Sequence, residues 1–444
     1  MKYNFAVIFW TLITSIAWAQ EPYTLDQAIE RALNENLNIR VSQQGKNLFD
    51  EQVREVRNNF LPTINFSGSH QYFFDIPTQV APADAFATPG TEPDPNAPAY
   101  LPLAFGLPHQ TNLTLQLQQV LYNPQLPIGI KAAQTGRDMA DLQLRQTKEQ
   151  TIQYVSSAYY NAQSLAQQIK SLKQNQISLD QLIKITELLR QNDLAKGTDV
   201  ERLRLNQASL ANRVANLEVA YKQLLNTLKL LTHTPITEPF AIDTTINRNE
   251  VVMLSVPDSM ARTDIALAHK QLEVQKLEER QIVSGYLPSF YATGVYGQTG
   301  FGELDQDYYE MFPISYVGVQ MNLPIFDGLQ KRSKRVQNRI QQSQTETQIE
   351  FLEQQVETEI ANAYASLSTQ QQAVQVQQQA LSLAEKVFQN IQLQYQEGVA
   401  GVSDVINSEN ELRQAQTDYF TAWVQLRLAE LEMRQATGNL LAYQ

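Results

Sequence analysis

Arg57-Asn58-Asn59-Phe60-Leu61-Pro62-Thr63 returns as Val283-Ser284-Gly285-Tyr286-Leu287-Pro288-Ser289, and this recurrence decides the fold. Working outward, Leu121-Tyr122-Asn123 returns as Ile325-Phe326-Asp327. Val155-Ser156-Ser157-Ala158-Tyr159 returns as Ile360-Ala361-Asn362-Ala363-Tyr364, and Thr198-Asp199-Val200 as Ser403-Asp404-Val405. The last three pairs share an offset of about 205 positions, far beyond the roughly 20–50-residue period of solenoid arrays. The first pair is spaced wider because the first copy carries a longer insert between its strand-like segments. A whole module is duplicated: a first repeat over 20–231, a linker over 232–257, a second repeat over 258–437 and a tail over 438–444.

Each repeat wraps two strand-like segments in long helices. Between Lys131 and Asn192 there is no proline and only Gly136, and between Lys331 and Gln396 there is neither proline nor glycine. At 1.5 Å per residue, helices over 131–192 and 331–396 would reach ~93 and ~99 Å. Val200, Leu203, Leu210, Val214, Leu217, Tyr221, Leu224 and Leu228 keep a 3-4 spacing, and Val405, Leu412, Tyr419, Leu426 and Met433 recur every seven residues. That spacing predicts a coiled-coil seam, whose residues hold helices together and bind nothing. The return helices, 199–231 and 404–437, reach only ~50 Å, so with the helical segments 24–58 and 258–284 each copy reads as one continuous column beside one broken column. Tight turns at 192–198 and 397–402 join the columns, and Gly197, Gly398 and Gly401 suit positive φ or a sharp reversal there. The Pro- and Thr-containing linker 232–257 has little period and is expected outside the helical wall.

Pro62 and Pro288 end helices and introduce strands. Strands are expected at about 62–74, 111–122, 289–301 and 314–326, from alternations such as Ile64, Phe66 against Asn65, Ser67, and Leu113, Leu115, Leu117 against Thr114, Gln116, Gln118. Phe60, Tyr122, Tyr286 and Phe326 gather at the helix side. Tyr72, Phe73, Phe74, Phe301, Tyr308, Tyr309 and Phe312 gather at the loop side, as two aromatic girdles would. Four strands do not close a channel, and open edges are not tolerated in lipid, so the chain is expected to assemble with copies of itself. The segment Asp75 to Gln110 carries eight prolines and is expected to be extended.

Composition narrows the class. The 444 residues carry a net charge of −12, which argues against a nucleic-acid partner. Residues 1–19 read as a secretory signal: Lys2, an apolar run from Phe5 to Ile16, and Ala17-Trp18-Ala19 before Gln20. The absence of cysteine excludes disulfides and thiolate metal sites. His70, His109, His233 and His269 fall in different elements without ligand spacing, so neither metal nor cofactor is expected. Gly294 to Gly302 resembles a phosphate loop only superficially, since no Lys-Ser/Thr follows. The basic run Lys331-Arg332-Ser333-Lys334-Arg335 with Arg339 reads as a solvated helix face or a contact to phospholipid head groups. No catalytic constellation occurs, so no enzyme is expected.

The chain resembles the outer-membrane efflux protein family, the TolC-like channels, over essentially its whole mature length. The resemblance rests on Phe60-Leu61-Pro62, Tyr286-Leu287-Pro288, Leu323-Pro324-Ile325-Phe326-Asp327-Gly328 and Gly398-Val399-Ala400-Gly401-Val402-Ser403-Asp404-Val405, in duplicated order. It implies a membrane β-barrel plus a long α-helical coiled-coil barrel, with two structural repeats and four strands per protomer closed as a 12-stranded trimer. It also implies the outer membrane of a Gram-negative bacterium, and docking to a periplasmic adaptor and an inner-membrane transporter for efflux or type I secretion. Phe60, Pro62, Tyr286, Pro288 and Pro324 would mark the barrel–helix transition. Asp193, Gly197, Asp199, Gly398 and Gly401 would form the docking tips, and Asp404, Asn407 and Tyr395 the periplasmic gate. Asn407 departs from a second carboxylate position of the family, and Ala400 from a locking arginine. A trimeric autotransporter-like adhesin and a soluble coiled-coil scaffold are the competing readings. The adhesin keeps its strands together at the C-terminus, and the scaffold leaves the girdles unexplained.

Overall fold

The computed structural model describes residues 22–83, 98–246, 262–303 and 307–443. The signal-like segment 1–19, the middle of the proline-rich segment and the second half of the linker lie outside them. In chain order the elements are α1 (Leu25–Glu35), α2 (Leu37–Asn58), β1 (Thr63–Tyr72), β2 (Thr78–Pro82), β3 (Tyr100–Ala104), β4 (His109–Tyr122), α3 (Gln125–Gln191) and α4 (Gly197–Leu231). They continue with α5 (Thr263–Ser284), β5 (Ser289–Glu303), β6 (Tyr308–Asn322), α6 (Gln330–Gln396), α7 (Val402–Ala436) and a terminal 3-10 turn, Leu440–Tyr443. The duplication appears in the lengths. α3 and α6 each have 67 residues, α4 and α7 each 35, and α2 and α5 each 22.

Two compact units divide the chain: one of Met1–Lys46, Ala140–His269 and Thr347–Gln444, the other of Asn47–Met139 and Lys270–Glu346. The first unit is helical. Ile169, Leu172, Leu179, Leu182 and Ile183 of α3 pack against Leu203, Leu210 and Val214 of α4, and against Tyr395, Val402 and Val405 of the second repeat. Leu381, Leu412, Tyr419 and Phe420 form a second cluster, and Ala363, Leu367, Ala429 and Met433 a third. These are the 3-4 positions, and burying them is what makes such long helices stable, since isolated helices are marginal in water.

Two expectations fail in this unit. The first helix is not continuous over 24–58 but breaks at Asn36. Its side-chain oxygen accepts the Asn38 N–H at 2.9 Å, and its amide donates to the Leu231 carbonyl at 2.8 Å. A residue that satisfies orphan backbone groups this way caps a helix rather than continuing it. The linker also fails to stay outside the wall over its described part. Phe240 and Ile242 are buried with Ile29, Ile152, Val155 and Tyr159. The Tyr23 N–H donates to Ala241 O and the Asp243 N–H donates to Tyr23 O, both at 2.9 Å, and Phe240 stacks on Tyr23 at 4.9 Å. A short backbone ladder with alternate side chains turned inward needs no hydrophobic period to be buried.

The second unit carries a four-stranded antiparallel sheet in the order β1-β4-β5-β6. The register places Ile64 opposite Leu117, Phe66 opposite Leu115, Leu115 opposite Tyr296, and Gly294 opposite Val317. The period-2 residues therefore share one face, as strand geometry requires, and that face is bare: Phe66 is 70%, Val317 89% and Val319 69% exposed. Gly297 is required by close approach, because a Cβ there would collide with the Leu113 carbonyl of β4.

Strand bounds differ from expectation at β6, which runs Tyr308–Asn322 rather than 314–326. Pro324 supplies no N–H, and pairing stops at Asn322 with Ser289. Pro313 lies inside β6, the outer strand of the sheet within one chain. The proline-rich segment is not simply extended: β2 and β3 form a two-stranded ladder within it, Thr78 opposite Ala104 through Pro82 opposite Tyr100. α3 starts six residues before 131 because Pro127 falls in its first turn, where a helix has N–H groups to spare.

Candidate functional site

The two hairpin turns have one backbone design. In the first, Asp193 adopts φ 57°, and the Leu194 N–H donates to Leu189 O at 2.8 Å. In the second, Gly398 adopts φ 78°, and the Val399 N–H donates to Gln394 O at 2.8 Å. Both are left-handed helix C-caps with a six-to-one bond. Gly197 and Gly401 do not take positive φ: Gly197 is the first residue of α4, and Gly401 caps α7 at φ −92°. The conformational demand falls on one residue per turn, and an aspartate meets it in the first.

Asp199 and Asp404 occupy the same place on the returning helices. The Asp199 carboxylate accepts the Lys196 N–H at 3.3 Å, and the Asp404 carboxylate accepts the Gly401 N–H at 2.9 Å. Each holds an otherwise orphan donor and sits at the positive end of the helix dipole. Asp404 and Asn407 are both exposed. Asn407 lines a cleft of about 360 Å³ with Arg202, Leu205, Asn206, Ser209, Ser403 and Ile406. Tyr395 is different. It is buried, and its hydroxyl shares a 2.7 Å hydrogen bond with the fully buried Thr186 of α3. Burial pushes its phenol above the ordinary value, the Thr186 bond opposing.

Two further polar contacts tie the returning helices together, and the sequence reading missed both. Arg202 Nη1 donates to Ser403 Oγ at 3.1 Å, and Asn206 Nδ2 donates to Glu409 Oε2 at 3.2 Å. Glu409 is buried, and its Oε1 has no hydrogen-bond partner among the described residues. No periodicity reports such pairs, since Asn206 and Glu409 are 203 positions apart.

At the strand-bearing unit, the Phe60 carbonyl accepts from Gln119 Nε2 at 2.6 Å, while Pro62 and Pro288 directly precede β1 and β5. Tyr286 carries the Lys331 ammonium at 4.9 Å from its ring centroid. Pro324 follows β6, ahead of the turn in which Asp327 accepts the Lys331 N–H at 3.1 Å. The basic run is partly structural: Arg335 and Arg339 both reach Glu279, at 2.9 and 2.8 Å. These bonds hold the Glu279 carboxyl down at about 2.

The histidines are not all scattered. The register of β1 and β4 brings His70 and His109 within 3.3 Å, a pairing that linear spacing conceals.

A four-stranded sheet with a bare apolar face, in a chain of two duplicated helical hairpins, is the arrangement expected from the resemblance to outer-membrane channels with a large periplasmic helical part. Among the described residues no helix is long and apolar enough to cross a membrane. Comparison with known proteins agrees. The family model described as outer membrane efflux protein matches residues 260–439. The alkaline protease secretion protein AprF of Pseudomonas aeruginosa is 22% identical over 350 residues, covering 74% of this chain and 71% of that protein. Among solved structures, the Campylobacter jejuni CmeC outer membrane channel superposes with a TM-score of 0.73 at 15% identity, covering 99% of this chain and 94% of that one. The open-state Neisseria gonorrhoeae MtrE outer membrane channel superposes at 0.71 and 18% identity, covering 94% and 89%. The resemblance to the outer membrane efflux protein family therefore holds, on sequence for the second repeat and on fold for nearly the whole chain.

Proposed function

We propose that the chain is the passive exit duct of an efflux or type I secretion assembly, closed as a trimer and gated at its helix tips. The observation that carries this reading is the sheet: its outer strands β1 and β6 each pair on one side only among the described residues, and one face is apolar and exposed. Unpaired edges in lipid would each strand a row of backbone donors and acceptors at several kcal/mol per group. Copies of the same chain supply the missing partners, and three copies of four strands give a 12-stranded barrel. In this reading Asp193, Gly197, Asp199, Gly398 and Gly401 meet a periplasmic adaptor that couples the duct to an inner-membrane transporter. Asp404 and Asn407 line the closed end, and Tyr395 anchors the second hairpin to the first. The relatives are named as channels or as a secretion protein, which supports transport over catalysis.

The missing cysteines make the test clean. Single cysteines introduced in pairs along β1 and β6, joined by a bifunctional maleimide in the membrane, should give a ladder ending at three chains. Light scattering of the detergent-extracted protein should give the same number. A stable monomer without detergent would sink the barrel and return the soluble scaffold to first place.

A further inference from the structure

On β1 the alternation that aims Ile64 and Phe66 to the apolar face also aims His70 and Tyr72. The register pairs Tyr72 with His109 and His70 with Thr111, so the two histidines are diagonal cross-strand neighbours on one face. His70 Nε2 and His109 Nδ1 lie 3.3 Å apart, with ring centroids 5.4 Å apart and planes inclined by 28°. The other nitrogen of His70 lies 2.7 Å from Thr111 Oγ1, and Thr111 Oγ1 also meets the Tyr309 hydroxyl. Tyr309 reaches across β5 over Gly302, where a Cβ would collide with its ring, and its hydroxyl passes close to Gly300. Two proton arrangements satisfy this relay, one running from Tyr309 towards His109 and one from His109 towards Tyr309, and the second leaves His70 able to bind a ligand. In the second, His70 Nδ1–H donates to Thr111, the Thr111 hydroxyl donates to Tyr309, and Nε2 keeps a lone pair facing His109.

We propose that His70 and His109 form a two-imidazole site for a divalent transition-metal ion of the Zn²⁺ or Cu²⁺ type. With metal–nitrogen bonds of about 2.05 Å, the 3.3 Å separation subtends about 107° at the metal, close to the tetrahedral angle. The ion takes the place of the proton between the rings, and that proton passes through solvent to His109 Nε2, so none is lost overall. Thr111 serves as the outer partner that fixes the His70 tautomer. Among the described residues no third histidine or carboxylate joins the pair, so water completes the coordination and the ion exchanges freely. Mg²⁺ and Ca²⁺ are disfavoured, because they require oxygen ligands. The site is independent of the hairpins and of any gating there.

The test uses untagged full-length protein in detergent, titrated with Zn²⁺ by calorimetry and with Cu²⁺ by electron paramagnetic resonance. The parent should bind one ion per chain, with two nitrogens coupled to Cu²⁺. His70→Gln and His109→Gln should each lose at least about tenfold in affinity, and Thr111→Val about tenfold. His233→Gln and His269→Gln should bind as the parent does. Circular dichroism verifies that strand content is unchanged in every variant. A parent that takes up no Zn²⁺, or a two-nitrogen signal that survives both His70→Gln and His109→Gln, overturns the assignment.

Discussion

The two helix hairpins share a backbone and differ in what holds it. The first turns on Asp193 at φ 57°, the second on Gly398 at φ 78°. The left-handed conformation costs a residue with a Cβ roughly 1–2 kcal/mol, least for Asp and Asn, and glycine almost nothing. The first hairpin sustains that cost because its seam is deeply buried: Leu203, Leu210 and Val200 have no exposed surface. The second leans on the first through Tyr395, Val402 and Val405, and through three polar contacts to Thr186, Arg202 and Asn206. Apolar seams resist separation in proportion to area, whereas hydrogen bonds lose only about 1 kcal/mol net when exchanged for water. In the proposed gate, the second hairpin's hydrogen bonds to Thr186, Arg202 and Asn206 are the contacts that would be exchanged for water.

Four changes would break or sharpen this contrast. The largest effect is expected from inserting a few residues at Gly401: export through the assembled system should be abolished while detergent-extracted assembly is retained. Survival of export would place the adaptor elsewhere. Next, Gly398→Val should lower the urea midpoint by an amount equivalent to about 1–2 kcal/mol, whereas Asp193→Gly should leave it unchanged or raise it. Equal losses in both would mean that the turns are not alike. Tyr395→Phe removes one hydrogen bond while Thr186 keeps its bond to the Leu182 carbonyl at 2.8 Å, so a loss of about 0.5–1.5 kcal/mol is expected. The same variant should raise the resting conductance in planar bilayers, and an unchanged conductance would remove Tyr395 from the gate.

The smallest effect concerns charge alone. Asp404→Asn retains an oxygen for the Gly401 N–H but removes the carboxylate, so stability should hold while cation selectivity falls. Asp199→Asn makes the same change in the same local geometry and should leave selectivity as it is. Identical recordings from both variants and the parent would reduce Asp404 to a helix cap.

Local order was legible in the chain. The proline-free stretches, the 3-4 seam, Leu-Pro before β1 and β5, and the period-2 face all follow from short-range sterics and periodicity, and each can be read a few residues at a time. The turn residues were legible only in part, since three glycines looked alike and one alone takes positive φ. The candidate site was less visible still. Asp404 was named through the family resemblance, its place after a turn fitting a helix cap equally well, whereas Arg202, Asn206 and Glu409 gave no signal.

What the sequence determined by itself is the set of elements and their duplication, because helix and strand periods are intrinsic to a single segment. What only the tertiary structure decided is who meets whom: β4 against β5 to join the repeats in one sheet, Phe240 and Ile242 in the helical core, Tyr395 on Thr186, and His70 beside His109. Those partners stand 39 to 209 positions apart where a bond joins them. Register and helix packing fix such meetings through the burial of whole faces, and no local pattern carries that information.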